Sequence, residues 1–283
     1  MSTTVLTALL GVASALGWGS ADFCGGLASR RATVYSVLLV SELTGLIVLL
    51  PLPFLFHESL PGRDVFLMSS LAGLGGTIGL MLLYRALAEG QMSIAAPVSG
   101  LVAAVIPVTV STFRDGLPGP ITLLGFGLAL VAIWLISVGG KSIQMLGADL
   151  RALLLPFLAG FTFGAYFLFT NLASQHATYW PLVFSRTLST LILLLYLGIK
   201  REPLRITSAP IRQAALGGLL DVLANFFYVL TGQLGRLDVA AVLGSLYPGT
   251  TVLLAWLVLK ERLNRTQGIG ILAALTAIAL IAA

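Results

Sequence analysis

Five ionisable side chains stand inside long apolar stretches of this sequence: Asp22, Glu42, Arg85, Arg186 and Asp221. A charge at the centre of a bilayer costs about 2.5–3.5 kcal/mol by insertion scales, so each needs a partner or a watery cavity. Arg85 lies near the end of its stretch, where its long side chain can reach the interface, and it reads as structural. That leaves one arginine against three carboxylates, so at least one carboxylate is held protonated or faces a cation. Asp22 follows Trp18 by one helical turn, which sets an acid under an aromatic wall. Such a group is either a binding site for a ligand or proton, or a polar lock on a neighbouring helix. Asp221, Asn225 and Tyr228 recur at i, i+4 and i+7 and form one polar stripe, the pattern of a cavity wall.

The elements that must carry these residues follow from composition. The chain has 283 residues, of which 58% are hydrophobic and only 10% charged, and its mean hydropathy is +1.00. A soluble domain runs nearer a quarter charged. Too few charges are available to cover a water-facing surface, which excludes a soluble enzyme, a nucleic-acid binder and a disordered chain. The expected solvent is membrane lipid. An apolar helix needs about 20 residues to cross the hydrocarbon. Ten stretches qualify: 4–26, 35–56, 65–88, 93–112, 119–139, 150–173, 179–199, 212–234, 238–259 and 266–282. No Lys or Arg precedes the first, so it lacks the basic start of a cleaved signal and reads as a retained span. A single cysteine, Cys24, excludes an intramolecular disulfide. His57 and His176 are distant from it and from each other, so no metal or cofactor site is expected.

The sequence repeats itself. An offset of 145 lays Leu27-Ala28-Ser29 on Leu172-Ala173-Ser174, Ala32-Thr33 on Ala177-Thr178, Gly19 on Gly164 and Ala95-Ala96 on Ala240-Ala241. An offset of 143 lays Gly125 and Gly127 on Gly268 and Gly270. The repeats are expected over residues 1–140 and 146–283, with five spans each. An odd repeat must insert upside down relative to its partner, the inverted architecture of transporters that rock around a midplane site. The fold class is thus an all-α membrane protein of ten transmembrane helices in two inverted five-helix repeats. Glu42 and Arg186 are offset by 144 and so occupy nearly equivalent places in the two repeats. A salt bridge between them is expected, as a static lock or a gate, with the lock the commoner role of a buried pair. Pro97, Pro107 and Pro248 are candidates to bend the fourth and ninth spans. Gly75 with Gly79, and Gly160 with Gly164, make small-residue faces for close helix packing.

Trp18-Gly19-Ser20-Ala21-Asp22-Phe23 resembles the opening of the EamA-type transporters of the drug/metabolite transporter superfamily. Tyr84-Arg85-Ala86-Leu87 followed by Ser93-Ile94-Ala95-Ala96-Pro97 resembles that family's third-to-fourth-span segment. The run from Ala240 through Ser245, Leu246, Tyr247 and Pro248 to Leu259-Lys260-Glu261-Arg262-Leu263 and Gly268 is similar to its strongest stretch. Ser185-Arg186 sits where the family often has an arginine. The chain departs from the pattern in its first half, with Ser41-Glu42 at the arginine position and Arg114-Asp115-Gly116 where Gly-Glu-Arg is usual. The resemblance implies a central cavity lined largely by the third, fourth, eighth and ninth spans. It therefore adds Tyr84, Ser245 and Tyr247 to Trp18, Asp22, Asp221, Asn225 and Tyr228 as candidate substrate-binding residues, with Glu42 and Arg186 as gate or coupling residues.

Of the 16 Lys and Arg, twelve fall in or beside odd-numbered loops, three in even-numbered loops, and Arg186 lies within a span. The positive-inside rule then puts odd loops in the cytoplasm and both termini outside, whereas the family resemblance implies termini inside. The function expected is a secondary transporter, by preference an exporter, in the cytoplasmic membrane. It would move a small polar metabolite such as an amino acid or related compound by alternating access, as a monomer or homodimer, with protons as candidate coupling ions. A small cationic drug/proton antiporter is the alternative, ahead of a non-transporting scaffold. An intramembrane enzyme is disfavoured. The acids are scattered over three spans with no pair to hold metal-bound diphosphate, no histidine lies within a span for serine hydrolysis, and no phosphate-binding loop for ATP occurs. No catalytic residue is therefore assigned.

Overall fold

A computed structural model describes residues 2–88, 92–138, 150–201, 208–260 and 265–282, with side chains throughout except at 84–88, 92–97, 137–138 and 150–153. Among these residues there are twelve helices and no strand: α1 Thr3–Ser29, α2 Val34–Leu49, α3 Leu52–Leu55, α4 Arg63–Ala88, α5 Met92–Asp115, α6 Pro120–Val138, α7 Leu150–Ala173, α8 Tyr179–Lys200, α9 Ser208–Leu234, α10 Leu237–Gly244, α11 Tyr247–Leu259 and α12 Arg265–Ala282. Lipid offers the backbone no hydrogen-bond partner, so each apolar stretch closes its own helical ladder. Hydroxyls within the helices follow suit: Ser20, Thr44 and Thr187 donate to carbonyls one turn earlier. Nine stretches of the described residues are long and apolar enough to cross a membrane, and a tenth, Pro120–Ile136, is apolar and shorter.

Two expected spans are each made of two helices. The second is α2 with α3, Val34–Leu55, and the ninth is α10 with α11, Leu237–Leu259. In the ninth, Ser245 N–H donates to Ala241 O at 2.9 Å and the next ladder starts at Tyr247. Pro248 has no N–H to give the Gly244 carbonyl, which favours the break there. In the fourth span α5 is one continuous helix through Pro97 and Pro107. The breaks expected at 89–90, 139–141, 202–203 and 261–262 lie outside the described residues.

Helices of the two halves interleave. At the repeat offset, α1 corresponds to α7, α2 to α8, α4 to α9, α5 to α10 with α11, and α6 to α12. The contacts obey the same correspondence. The pairing of α1 with α9 is matched by α7 with α4, α2 with α9 by α8 with α4, and α1 with α11 by α7 with α5; α6 with α12 is its own counterpart. Glycines make the close approaches. A Cβ on Gly73 would run into the carbonyl of Ser185, and one on its equivalent Gly218 into the carbonyl of Ser41. Gly75 and Gly79 meet α7 in the same way, and Gly160 and Gly164 meet α5, so the expected packing faces are occupied. Large apolar side chains such as Ile47, Leu124, Leu195 and Leu272 stand outward, as a lipid-facing surface requires.

Several connections are tied together by polar side chains at one end of the bundle. Glu58, after α3, caps the start of α8: its Oε2 accepts from Tyr179 N–H at 2.9 Å and Trp180 N–H at 3.0 Å, and its Oε1 accepts from Thr178 N–H. A carboxylate there satisfies orphan helix donors and suits the helix dipole. Arg236, between α9 and α10, holds Asp238 at 2.8 Å and donates to the carbonyls of Asp115 at 3.1 Å, the last residue of α5, and Gly116 at 2.6 Å. Gln233 donates to Ser174 O at 2.7 Å, joining the end of α9 to the end of α7.

The glycine contacts predict a contrast. A Cβ at Gly160 would sit 2.6 Å from the backbone oxygen of Ser99, whereas one at Gly127 would meet nothing within 4 Å. Gly160→Ala should destabilise the protein by about 1–3 kcal/mol, the usual cost of overpacking. Gly127→Ala should leave it unchanged or raise stability by about 0.5–1 kcal/mol through helix propensity. Thermal unfolding in detergent checks this; equal melting of the two variants would contradict the packing.

Candidate functional site

The intramembrane charges meet midway along their helices. Arg186 lies two turns into α8, on the face that packs toward α2, α4 and α9. Its Nη1 is 2.9 Å from Glu42 Oε2 of α2, and its Nη2 donates to Asp221 Oδ2 of α9. The Glu42 contact is an ion pair more than an aligned hydrogen bond, since that oxygen accepts none of good geometry. Glu42 and Arg186 are 7% and 8% exposed, so neither charge can rely on water and each depends on the other. Asp221 is 27% exposed and opens onto a cavity. The network continues outward. Asn225 donates to Asp221 Oδ2 at 2.9 Å and to Asp221 O at 2.7 Å, and Tyr166 of α7 donates to Asn225 Oδ1.

Small residues make this cluster possible. Gly45 is one turn after Glu42, and a Cβ on it would lie 3.1 Å from Arg186 Nε, so the missing side chain is the space the guanidinium fills. Gly218 is three residues before Asp221 and lets α9 rest on the Ser41 carbonyl, which brings Asp221 beside the residue after Ser41, Glu42. The Ser189 hydroxyl, one turn after Arg186, donates to Gly73 O at 3.2 Å and ties α8 to α4.

A cavity of roughly 880 Å³, open solvent at its mouth included, lies against this cluster. Its wall takes residues from α1, α2, α4 and α5 of the first half and α7, α8, α9 and α11 of the second. The wall is thus broader than the four spans expected, because α1, α2, α7 and α8 supply most of its charged and aromatic groups. A second space of roughly 440 Å³ lies between α1, α2, α4, α8 and α9 and shares Asp22, Glu42, Arg186 and Asp221 with the first. The ion cluster therefore borders both cavities. Among the described residues no three His, Cys, Asp or Glu side chains cluster as metal ligands would.

The candidate residues divide. Trp18, Asp22, Glu42, Arg186, Asp221, Asn225 and Tyr247 all face the larger cavity. Tyr228 and Ser245 do not. Tyr228 is fully buried and donates to Phe167 O at 2.9 Å, behind Trp18 and Phe167, whose rings lie 5.4 and 5.2 Å from its own. The polar stripe of α9 does continue to Tyr228, but those two rings close over it. Ser245 is fully buried at the end of α10, and its hydroxyl donates back to Ala241 O at 2.7 Å, one turn earlier. The Tyr84 side chain lies outside the described residues. Sequence reasoning missed Tyr166, Phe163 and Phe167, which wall the cavity from α7. Their signal was faint, since aromatic residues in an apolar run read equally well as lipid-facing bulk.

Residues 5–138 and 150–283 each match the EamA-like transporter family. The chain belongs to that family. The chain is accordingly a membrane transporter of the drug/metabolite transporter superfamily, built from two EamA repeats. No curated protein matches the chain. Among solved structures, a crystal structure of a protein aligns with this EamA-like chain over 97% of both, with a TM-score of 0.76 and 16% identity. At that identity the likeness concerns the fold alone.

The cluster predicts a stability effect. Arg186→Leu leaves Glu42 and Asp221 facing each other without a counter-charge, which should cost about 3–5 kcal/mol. Adding Glu42→Gln to that variant should recover part of the loss. Unfolding in detergent measures both, and an Arg186→Leu variant as stable as the parent would contradict the pairing.

Proposed function

We propose that this EamA-like protein is a secondary transporter that exports a small polar metabolite, of the size of an amino acid or a related compound, across the cytoplasmic membrane. In this reading residues 1–140 and 146–283 are inverted repeats that rock about the cavity and expose it to each side in turn. The observation that carries it is the cavity itself, walled by four helices of each half and bearing charges midway along them. A site whose two walls belong to two equivalent halves can change sides when those halves rotate against each other. Trp18, Asp22, Asn225 and Tyr247 would bind the substrate. The Glu42–Arg186–Asp221 cluster, which spans both halves, would break and re-form as a gate or lock. The carboxylate excess supports coupling to protons, carried by Asp22 and Asp221.

Flux into proteoliposomes tests the reading. Saturable flux of a polar metabolite is expected, with Asn225→Ala and Trp18→Ala lowering it about tenfold or more, since each removes a contact to the bound substrate. Asp22→Asn with Asp221→Asn should abolish flux driven by a proton gradient. Flux indifferent to the cavity variants would contradict the site, and unchanged, pH-independent flux in the double variant would contradict the coupling.

A further inference from the structure

The charges on the cavity wall do not balance, and the way they fail to balance points to a substrate class. Among the described residues the wall carries three carboxylates, Asp22, Glu42 and Asp221, and one guanidinium, Arg186. Both terminal nitrogens of Arg186 are already committed, Nη1 to Glu42 and Nη2 to Asp221. Its Nε faces the α2 backbone at Gly45, where a Cβ would stand 3.1 Å away. A substrate carboxylate entering the cavity would therefore compete with Glu42 and Asp221 for the arginine, and it meets three acids.

Asp22 is in the opposite position. It is half-buried, faces both cavities, and among the described residues it has neither an ion pair nor a hydrogen bond. The groups that act on it electrostatically or feel its charge are another acid, Asp221, and the Tyr247 phenol. Around it the wall is aromatic. Trp18 is one turn earlier on α1, with the Phe167 ring 5.3 Å from its own, and Tyr166 and Tyr247 complete that side of the cavity. A carboxylate with no counter-charge among the described residues, in a cavity lined by aromatic side chains, is an arrangement that suits an organic cation. The triad is satisfied without a ligand, and Asp22 is not.

We infer that the cavity takes an organic monocation, an ammonium group carried on an apolar or aromatic body, with the charge at Asp22 and the body against Trp18 and Phe167. This rests on the transport reading above and adds the charge of the substrate to it. It places zwitterionic amino acids and anionic metabolites at a disadvantage, since their carboxylates would have to compete with Glu42 and Asp221 for Arg186.

Three compounds with one phenyl body and different charges test the inference: 2-phenylethylammonium, zwitterionic phenylalanine and 3-phenylpropanoate. Equilibrium binding of each to the purified full-length protein, and uptake of each by proteoliposomes, are measured with radiolabelled material. The ammonium compound should bind about tenfold or more tightly than the other two. Asp22→Asn should remove that preference, and Asp22→Glu, which keeps the charge, should retain it. The Glu variant guards against a fold that merely fails, as does a melting temperature for each protein. No saturable binding of the ammonium compound, equal or tighter binding of phenylalanine or phenylpropanoate, or an unchanged preference in Asp22→Asn would overturn the inference. Flux of phenylalanine in preference to the amine would overturn it while leaving transport intact. Binding of the amine with no flux of any of the three would instead contradict the transport reading.

Discussion

One buried guanidinium organises this protein. Arg186 lies in the middle of an apolar bundle, where a lone charge is costly, and it is compensated by carboxylates on two other helices. That requirement fixes geometry well beyond the three residues. Glu42 comes from the first half and Arg186 and Asp221 from the second, so α2, α8 and α9 must meet at one depth. They can do so because Gly45 leaves room for the guanidinium and because Gly218 lets α9 rest directly on the backbone of α2. The cavity then follows from the cluster. Asp221 and Asn225 are presented at its edge, and Tyr166 is drawn in from α7 through Asn225.

Much of the fold was legible because lipid allows few solutions. Long apolar runs had to be helices, the 145-residue offset marked the halves, and the small-residue faces at Gly75, Gly79, Gly160 and Gly164 marked close packing. The repeat also brought Glu42 and Arg186 into equivalent positions, and the structure pairs them. What escaped was information that no single helix carries. Asp221 joins the same arginine, yet on the sequence it belonged only to a stripe along its own helix. Tyr228 shares that stripe and is hidden by Trp18 and Phe167, which come from two other helices. The role of Glu58 as the cap of α8 was invisible for the same reason, since a helix start shows its missing partners only once a neighbouring connection arrives. Proline content did not decide where a span breaks, because α5 continues through two prolines while the ninth span stops before one.

The polar contacts fall into two sets with different consequences. At one end of the bundle, Glu58, Gln233 and Arg236 hold connections together through backbone groups. Such contacts are individually modest and can be exchanged for water. The central cluster has no such exchange available except toward its two cavities. A rocking motion between halves would therefore meet its main electrostatic barrier at Arg186, and a substrate or proton arriving at Asp22 or Asp221 is placed to alter it. In the proposed reading the carboxylate of Asp22 and the satisfied triad would have separate tasks, one to receive a ligand and the other to keep the halves in register until it arrives.

Alternating exposure of the cavity is the claim on which this account stands. It is tested most directly by thiol labelling in oriented membranes. Cys24 is the only cysteine, so a Cys24→Ser background carrying Phe163→Cys reports on the cavity wall alone. The account predicts that a small membrane-impermeant thiol reagent modifies that cysteine when added from either side, with the balance between sides shifted by a bound substrate. Modification from one side only, whatever ligand is present, would contradict it.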